Sequence, residues 1–123
     1  QLRASCGERL HRWAVIMRFA NSYGFFSIDA MPNQPSIAWC SDFTIHLKNR
    51  GKGLAHKLKA YQNDVLDVHG FTFAMCTVKA SNEAQLKVLI KAGWNHKTTF
   101  HDARTGELVQ LWSYAINQGQ RVY

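Results

Sequence analysis

The strongest constraint on the fold is a glycine-containing turn, Arg50-Gly51-Lys52-Gly53-Leu54-Ala55, because of the segments that flank it. An extended run over 36–47, rich in β-branched and aromatic residues, precedes the turn. Over 53–68, an amphipathic helix is predicted because apolar residues recur with its 3.6-residue period, namely Leu54, Leu58, Tyr61, Val65 and Val68. A nearly continuous apolar run over 71–78 is then typical of a strand covered on both faces. This strand–helix–strand unit predicts a parallel pair of strands joined by a right-handed crossover.

Weaker signals predict the remaining elements of the 123-residue chain. They are a helix over 8–20 and strands over 25–30 and 36–47, which are joined across Pro32 and Pro35. A helix over 82–92 follows, opened by an Asn82–Gln85 capping box. Two strands flank the 102–106 turn, the last over 107–116. This order predicts a mixed sheet in an α/β or α+β sandwich. No repeat, low-complexity segment or linker divides the sequence, which predicts one domain over 1–123.

Charge narrows the class of partner. The net charge of +7 and the pI near 9.6 favour an anionic partner such as nucleic acid, anionic lipid or a phosphorylated cofactor. The alternative is a set of solvated surface lysines. Part of the charge is concentrated around the glycine turn, where five basic residues lie close together in sequence: Lys48, Arg50, Lys52, Lys57 and Lys59.

Cysteine usage and hydropathy bear on location. No segment approaches the roughly 20 apolar residues of a membrane-spanning helix, and the start lacks a secretory signal pattern, so no membrane partner is expected. Cys6, Cys40 and Cys76 form neither a disulfide framework nor a zinc knuckle, which predicts a reducing, cytoplasmic location. Cys76 is expected to be an inert core thiol. The histidines lack metal-ligand spacing, so no metal site is predicted.

Two motifs carry a family resemblance. The run over 43–55 resembles the acetyl-CoA motif of the GNAT N-acetyltransferases, Arg/Gln-x-x-Gly-x-Gly/Ala, with Arg50, Gly53 and Ala55 at its fixed positions. The run over 82–94 is similar to the second conserved element of that family. Asn82, Lys91 and Gly93 match it, and Trp94 stands in for its aromatic residue.

This resemblance implies a single GNAT-like acyl-CoA-binding domain over 1–123. The implied fold is a mixed, mostly antiparallel sheet with helices on both faces and a shortened amino end. Acetyl-CoA would be the co-substrate. The residues implied to bind it are Phe43, Thr44 and Ile45 on the strand, Arg50, Gly51, Lys52, Gly53, Leu54 and Ala55 around the pyrophosphate, and Asn82 on the cofactor arm.

Three departures from the family pattern matter for activity. Gln85 replaces a small residue. Leu89 occupies the position where many members carry a tyrosine that protonates the departing thiolate, and its place on the apolar stripe predicts core packing instead. At the amino end, one helix precedes the first hairpin where the family usually has another strand and two helices. That region normally shapes the acceptor pocket.

Catalysis would require a base, because a lysine-type amine with a pKa near 10.4 must lose a proton before it attacks a thioester. Asp42, just before the acyl-binding strand residues, is the predicted base, directly or through water. Its alternative role is a solvated carboxylate at the end of a strand. His46 is a weaker candidate, because strand alternation turns it away from the cleft. His96 and His101 are the next candidates, each with a surface position as the alternative.

Three functions follow from these observations. The first is acetyl-CoA-dependent N-acyl transfer to a small-molecule or peptide amine by direct attack. The second is a non-catalytic GNAT-like module that binds CoA or a protein. The third is a small basic nucleic-acid-binding domain, favoured by the net charge and by Trp112, Tyr114 and Tyr123 if these are exposed. The absence of a nucleic-acid-binding signature argues against the third. The sequence leaves the oligomeric state open, a homodimer included.

Overall fold

The computed structural model describes residues 16–116 of the chain. Within that range lie β1 (Met17–Ala20), β2 (Gly24–Met31), β3 (Gln34–Ile45), a short 3-10 turn (Leu47–Asn49), α1 (Ala55–Val68), β4 (Phe73–Lys79), α2 (Glu83–Lys91), β5 (Asn95–His101) and β6 (Leu108–Ala115). The two later helices and all five predicted strands are confirmed, with ends that differ by a few residues. Neither described helix is long and apolar enough to cross a membrane.

The strands form one sheet in the order β1-β2-β3-β4-β6-β5. Only β3 and β4 run parallel among the described neighbours, and every other neighbouring pair is antiparallel. Since α1 connects β3 to β4, the predicted strand–helix–strand unit is confirmed. The mixed, mostly antiparallel sheet of the predicted α/β fold is confirmed as well.

The parallel strands β3 and β4 separate towards their carboxyl ends. Their register runs from Ile37 opposite Phe73 to Trp39 opposite Met75 and ends there. Both strands nevertheless continue, β3 to Ile45 and β4 to Lys79. A register shift between β2 and β3 accompanies the separation, because Phe25 pairs with Thr44 whereas Ser27 pairs with Ser41. This bulge bends β3 and leaves a gap between the two strands.

The hydrophobic core lies between the sheet and α1. Leu58 and Leu66 of α1 are fully buried, together with Phe26 and Ile28 of β2. Leu89 of α2 is fully buried in the same cluster, which confirms the predicted packing role. The two helices contact each other, as shown by the hydrogen bond from Asn63 Nδ2 to the Ala92 oxygen at 3.2 Å. The 8–15 portion of the predicted amino-terminal helix lies outside the described residues.

The prediction of helix up to residue 20 is wrong. Met17–Ala20 is a strand that pairs antiparallel with Phe25–Ile28. Met17 and Phe19 are partly buried while Arg18 is exposed, which is the alternation of a strand, and the Phe19 ring stacks on Phe26 with centroids 5.7 Å apart. Asn21 Oδ1 accepts a hydrogen bond from the Tyr23 amide at 2.9 Å and so stabilises the reversal. A further strand therefore precedes the predicted hairpin.

Candidate active site

Two cavities follow one another along the free end of β3 and the first turn of α2. The one near the glycine turn, here called the loop cavity, has a volume of about 510 Å³. Its lining residues are Ile45, Asn49, Arg50, Gly51, Gly53, Leu54, Ala55, His56, Glu83, Ala84, Lys87 and Val88. Five residues of the predicted pyrophosphate turn are thus brought together in one cavity. Lys52 is exposed and stands outside this lining.

The glycine turn leaves room for close approach of a ligand to its backbone. Gly51 and Gly53 have φ values of +77° and +71°, a region that glycine adopts without steric cost. A Cβ added at either position would meet no atom within 4 Å, so the space beside both glycines is open. Leu54, the N-cap of α1, makes no side-chain hydrogen bond. The first backbone N–H groups of α1 lack intrahelical partners and can donate to an anion.

The charges around the loop cavity are mostly positive. Arg50 Nε donates to the Ile45 backbone oxygen at 3.1 Å, which folds this side chain back against the end of β3. Lys87 of α2 adds an ammonium group to the lining, and Glu83 is its one acidic member. A positively charged lining with open backbone amides favours a phosphorylated ligand.

The second cavity, here called the strand cavity, opens in the gap between β3 and β4 and has a volume of about 340 Å³. Its lining residues are Cys40, Ser41, Asp42 and Phe43 of β3, Cys76, Thr77, Val78 and Lys79 of β4, Asn82 and Gln85 at the start of α2, and Lys59 and Gln62 of α1. Consecutive residues of each strand line it, although alternate side chains point to opposite faces of a sheet. The cavity therefore passes between the strands.

Lys59 lies at the floor of the strand cavity and is almost completely buried, with 1% of its surface exposed. Its Nζ donates to Gln62 Oε1 at 2.6 Å. The same Nζ lies 4.0 Å from the centroid of the Trp94 ring and 5.1 Å from that of Phe43. Burial lowers the pKa of the Lys59 amine, an effect that the neighbouring Cys76 and Cys40 oppose.

The two described cysteines are free thiols on either side of the gap between the strands. Burial raises the pKa of Cys40 to about 12, although the nearby Lys59 acts in the opposite direction. Burial likewise raises the pKa of Cys76, again opposed by Lys59. Both side chains therefore remain protonated and weakly nucleophilic at neutral pH.

Asp42 stands at the bulge of β3, on the rim of the strand cavity. Its φ of 59° lies in the left-handed region, which asparagine and aspartate adopt more readily than other non-glycine residues. Its carboxylate accepts hydrogen bonds from Ser27 Oγ at 3.2 Å and from the exposed Arg18 at 3.4 Å. The predicted base thus lies at the cavity, and its carboxylate accepts hydrogen bonds from two side chains.

Comparisons with known proteins identify the fold. No protein-family model and no curated protein matches the sequence. Among solved structures, the chain is similar to a spermidine N-acetyltransferase from Vibrio cholerae in complex with CoA and spermine. The identity is 15% and the TM-score 0.72, and the match covers 98% of this chain and 76% of that one. It is also similar to the ribosomal-protein-S18-alanine N-acetyltransferase from Escherichia coli, with 16% identity, a TM-score of 0.69, and coverage of 96% and 81%.

A third similar structure is an IAA acetyltransferase from Bacillus cereus, with 11% identity, a TM-score of 0.69, and coverage of 89% of this chain and 83% of that one. These neighbours are N-acetyltransferases of the GNAT superfamily. The chain has the GNAT fold. At these low identities the likeness establishes the architecture, and the chemistry must be argued from this chain's own residues.

Leu89 occupies the position where the family resemblance implies a tyrosine that donates a proton. This side chain is fully buried in the hydrophobic cluster and offers no O–H group. Among the described residues, the side chains that bring polar hydrogens to the strand cavity are Cys40, Ser41, Lys59, Gln62, Cys76, Thr77, Lys79, Asn82 and Gln85. Any proton that reaches a leaving group in this cavity must therefore come from one of these or from water.

The remaining predicted residues are distributed unevenly. Phe43 and Asn82 line the strand cavity, Ile45 lines the loop cavity, and Thr44 lines neither. Asn82 also caps α2, because its Oδ1 accepts from the Gln85 amide at 3.2 Å. His46 Nε2 lies 3.1 Å from the Asn21 backbone oxygen, close to the β1–β2 turn.

The late histidines and the aromatic residues of the final strand lie elsewhere. His96 and His101 are exposed on β5 and are absent from the linings of both cavities. Trp112 is 5% exposed, and Tyr114 stacks on Trp94 with centroids 5.4 Å apart. Trp112 is therefore not exposed as the nucleic-acid alternative requires, because it lies on an interior strand and belongs to the hydrophobic cluster. Tyr123 lies outside the described residues.

Sequence reasoning missed Lys59 and Gln62 as site residues. Lys59 was counted only among the basic residues around the glycine turn and Gln62 was given no role, yet they are 1% and 0% exposed. A signal was present in the spacing. Lys59, Gln62 and Leu66 follow one another at intervals of three and four residues, which places all three on one face of a helix.

Proposed function

We propose that the chain is a single acyl-CoA-binding domain that transfers an acetyl group from acetyl-CoA to an amine. The observation that supports this most strongly is the succession of the two cavities. Ile45 lines the loop cavity and Phe43 the strand cavity, just two positions apart on β3. An extended molecule with a phosphorylated end and a thioester end would fit this path. A similar structure was solved in complex with CoA and spermine.

The residues present fit CoA. The open space beside Gly51 and Gly53 lets the pyrophosphate approach the backbone, while the start of α1 supplies N–H donors and a favourable helix dipole. Arg50 and Lys87 supply positive charge, and Lys52 extends it at the surface. Backbone groups of Phe43, Thr44 and Ile45 would hydrogen-bond the pantetheine, since β3 has no β4 partner there. Asn82 would orient the arm from the start of α2.

In the proposed reaction a neutral amine attacks the thioester carbonyl carbon within a ternary complex. The C–N bond forms, the C–S bond breaks, and CoA leaves as the thiolate. Asp42, on the cavity rim, would take a proton from the amine directly or through water. Leu89 cannot return a proton to the thiolate, so water or a polar side chain of the strand cavity would do so.

A non-catalytic CoA-binding module is the second candidate, and the burial of Leu89 is the observation that favours it. Such a module would bind CoA equally well and transfer nothing. The nucleic-acid alternative loses its stacking platform, because Trp112 is buried and Tyr114 is engaged with Trp94. A cytoplasmic location remains part of the proposal, consistent with the two free described thiols.

Ligand binding and turnover test the proposal separately. Thermal unfolding would be followed with acetyl-CoA, CoA and a short oligonucleotide in parallel, and a ligand at 100 times its Kd should stabilise by about 2.7 kcal/mol. Acetyl transfer would then be assayed with a polyamine and with a peptide bearing an amino-terminal alanine, acceptors suggested by the names of the similar structures. Stabilisation by CoA without transfer would favour the module. Stabilisation by the oligonucleotide alone would contradict both candidates.

A further inference from the structure

Two buried hydrogen-bond donors at the floor of the strand cavity lack acceptors. Lys59 Nζ can donate three hydrogen bonds, and the structure supplies one, to Gln62 Oε1 at 2.6 Å. Gln62 is fully buried, and its Nε2 has no hydrogen-bond partner. Both residues line the cavity, so the unused donors lie at its wall or directly behind it. Buried donors of this kind are costly unless an acceptor arrives.

Lys59 has no counter-ion among residues 16–116, because no carboxylate there lies at ion-pair distance from its Nζ. Besides Gln62 Oε1, the aromatic faces of Trp94 and Phe43 lie against this cation. Asp42 lines the same cavity, but its carboxylate is engaged by Ser27 and Arg18. Lys79, the other lysine of the lining, pairs with Glu107 at 3.2 Å. A buried ammonium without a carboxylate partner matches a ligand that brings one.

We propose that the floor of the strand cavity, formed by Lys59 and Gln62, is a binding site for a substrate carboxylate. The two oxygens of a carboxylate can accept from the Lys59 ammonium and the Gln62 amide at once, which would satisfy both orphan donors. An acetyl group brings a methyl group to this floor and satisfies neither. The inference deepens the proposed function, on which it rests for the reaction, because it defines which substrates suit the cavity.

The carboxylate could come from either substrate. It could terminate the acyl chain, so that the donor is the CoA thioester of a dicarboxylic acid such as succinyl-CoA. It could instead belong to the acceptor, so that the amine is an amino acid or a peptide with a nearby carboxylate. In both cases Lys59 and Gln62 bind a carboxylate. The two cases differ in whether the protein prefers an acyl donor or an amine acceptor that carries this carboxylate.

The donor arm compares succinyl-CoA with acetyl-CoA by calorimetry on the wild type, Lys59→Met and Gln62→Leu. A charge-assisted hydrogen bond formed on binding should give the wild type about tenfold or greater preference for succinyl-CoA. Each variant should lose most of that preference, which is the ratio of its affinities for the two thioesters, so that a general effect of the substitution on the cavity cancels. Gln62→Leu covers the case in which Lys59→Met folds poorly.

The acceptor arm compares alanine with alaninamide as amine, measured as kcat/KM with acetyl-CoA. If the acceptor is the source, alanine is preferred about tenfold, Lys59→Met abolishes that preference, and the two thioesters bind alike. A preference in either arm that depends on Lys59 supports the site. No preference in either arm, or a preference that Lys59→Met leaves intact, overturns it.

A third measurement separates this inference from the proposed function. Thermal unfolding with free succinate against succinamide needs no CoA. Stabilisation by succinate alone, lost in Lys59→Met, supports the carboxylate site even if CoA fails to bind. Normal acetyl-CoA binding and turnover, with no carboxylate effect in any arm, overturns the carboxylate site and leaves the proposed function standing.

Discussion

The Lys59 ammonium nitrogen donates to the Gln62 amide oxygen at 2.6 Å, across nearly one turn of α1. Both residues are buried, with 1% of Lys59 and 0% of Gln62 exposed. The hydrogen bond satisfies only part of the lysine's donor capacity and does nothing to neutralise its charge. Burial of an ammonium group without a counter-ion opposes folding. We therefore expect the pair to lower the stability of the fold, and it gives the strand cavity a polar floor.

Removal of the buried charge should stabilise the protein. Lys59→Met keeps an unbranched side chain that is one atom shorter and removes the ammonium group, so we expect the free energy of unfolding to rise by about 1–4 kcal/mol at neutral pH, by analogy with buried ion pairs replaced by apolar residues. Chemical denaturation measures the change. Lys57→Met, at an exposed position of the same helix, is the control and should change stability little. A destabilised Lys59→Met protein would show that the amine contributes net stability.

The stabilisation by Lys59→Met should shrink as the pH rises. Burial lowers the pKa of Lys59 in the folded state, so between that lowered pKa and about 10.4 the unfolded chain holds a proton that the folded chain has lost. Wild-type stability therefore gains from this group as the pH rises through that window. Cys40 and Cys76 act oppositely above about pH 8.5, because their pKa values are raised on folding. Because Lys59 also lowers the pKa of both thiols, the difference between variant and wild type isolates the lysine only below about pH 8.5, and denaturation at two pH values below that point would check it.

The β3–α1–β4 unit was predictable because its hydrophobic periodicity is set by neighbouring residues and extends over many of them. The stripe of α1 correctly placed Leu58 and Val65 in the core, at 0% and 7% exposed. It failed at Val68, which is 80% exposed because the helix ends there, beyond the reach of the sheet. The stripe does not predict the burial of Lys59, since a charged residue beside an apolar stripe is ordinarily solvated. Only the separation of β3 and β4 creates the cavity that admits this side chain.

Two other features depend on contacts that no local pattern carries. Residues 17–20 continue an apolar period that suggests a helix, yet pairing with β2 makes them a strand. The gap between β3 and β4 arises where their register stops, after Trp39 and Met75, although both segments remain strand-like in sequence. The positions of the glycine turn and of Asn82 were predictable, because glycine conformation and helix capping are set by neighbouring residues.

The glycine turn offers a matched test of CoA binding. Gly53→Ala and Gly106→Ala place a Cβ at similar φ values, +71° and +74°, and at both sites the Cβ meets no atom within 4 Å. Each should lose about 1–2 kcal/mol of stability from the left-handed backbone. Only Gly53→Ala should weaken CoA binding, by about tenfold or more, because its methyl group projects into the loop cavity. Calorimetry with CoA on both variants decides, and equal affinities would remove the turn from the binding site.

Leu89 should act through packing alone. Leu89→Ala removes a fully buried side chain and should cost about 2–5 kcal/mol of stability. Ile90→Ala, at a neighbouring position that is 64% exposed, should cost far less. If turnover is measured below the melting temperature of the variant, the loss of activity should follow the loss of folded protein. A variant with unchanged melting temperature and abolished activity would contradict this role.

Asp42 gives the test that separates an enzyme from a binding module. Asp42→Asn keeps the shape of the side chain and tolerates the φ of 59°, and its amide oxygen can still accept from Ser27. Backbone strain therefore stays constant, whereas proton acceptance is lost. If Asp42 is the base, turnover should fall by about 10²–10⁴-fold while CoA affinity stays the same. Asp64→Asn, at an exposed position of α1, is the control for the change in net charge. Full activity in Asp42→Asn would assign the base to another group or to water.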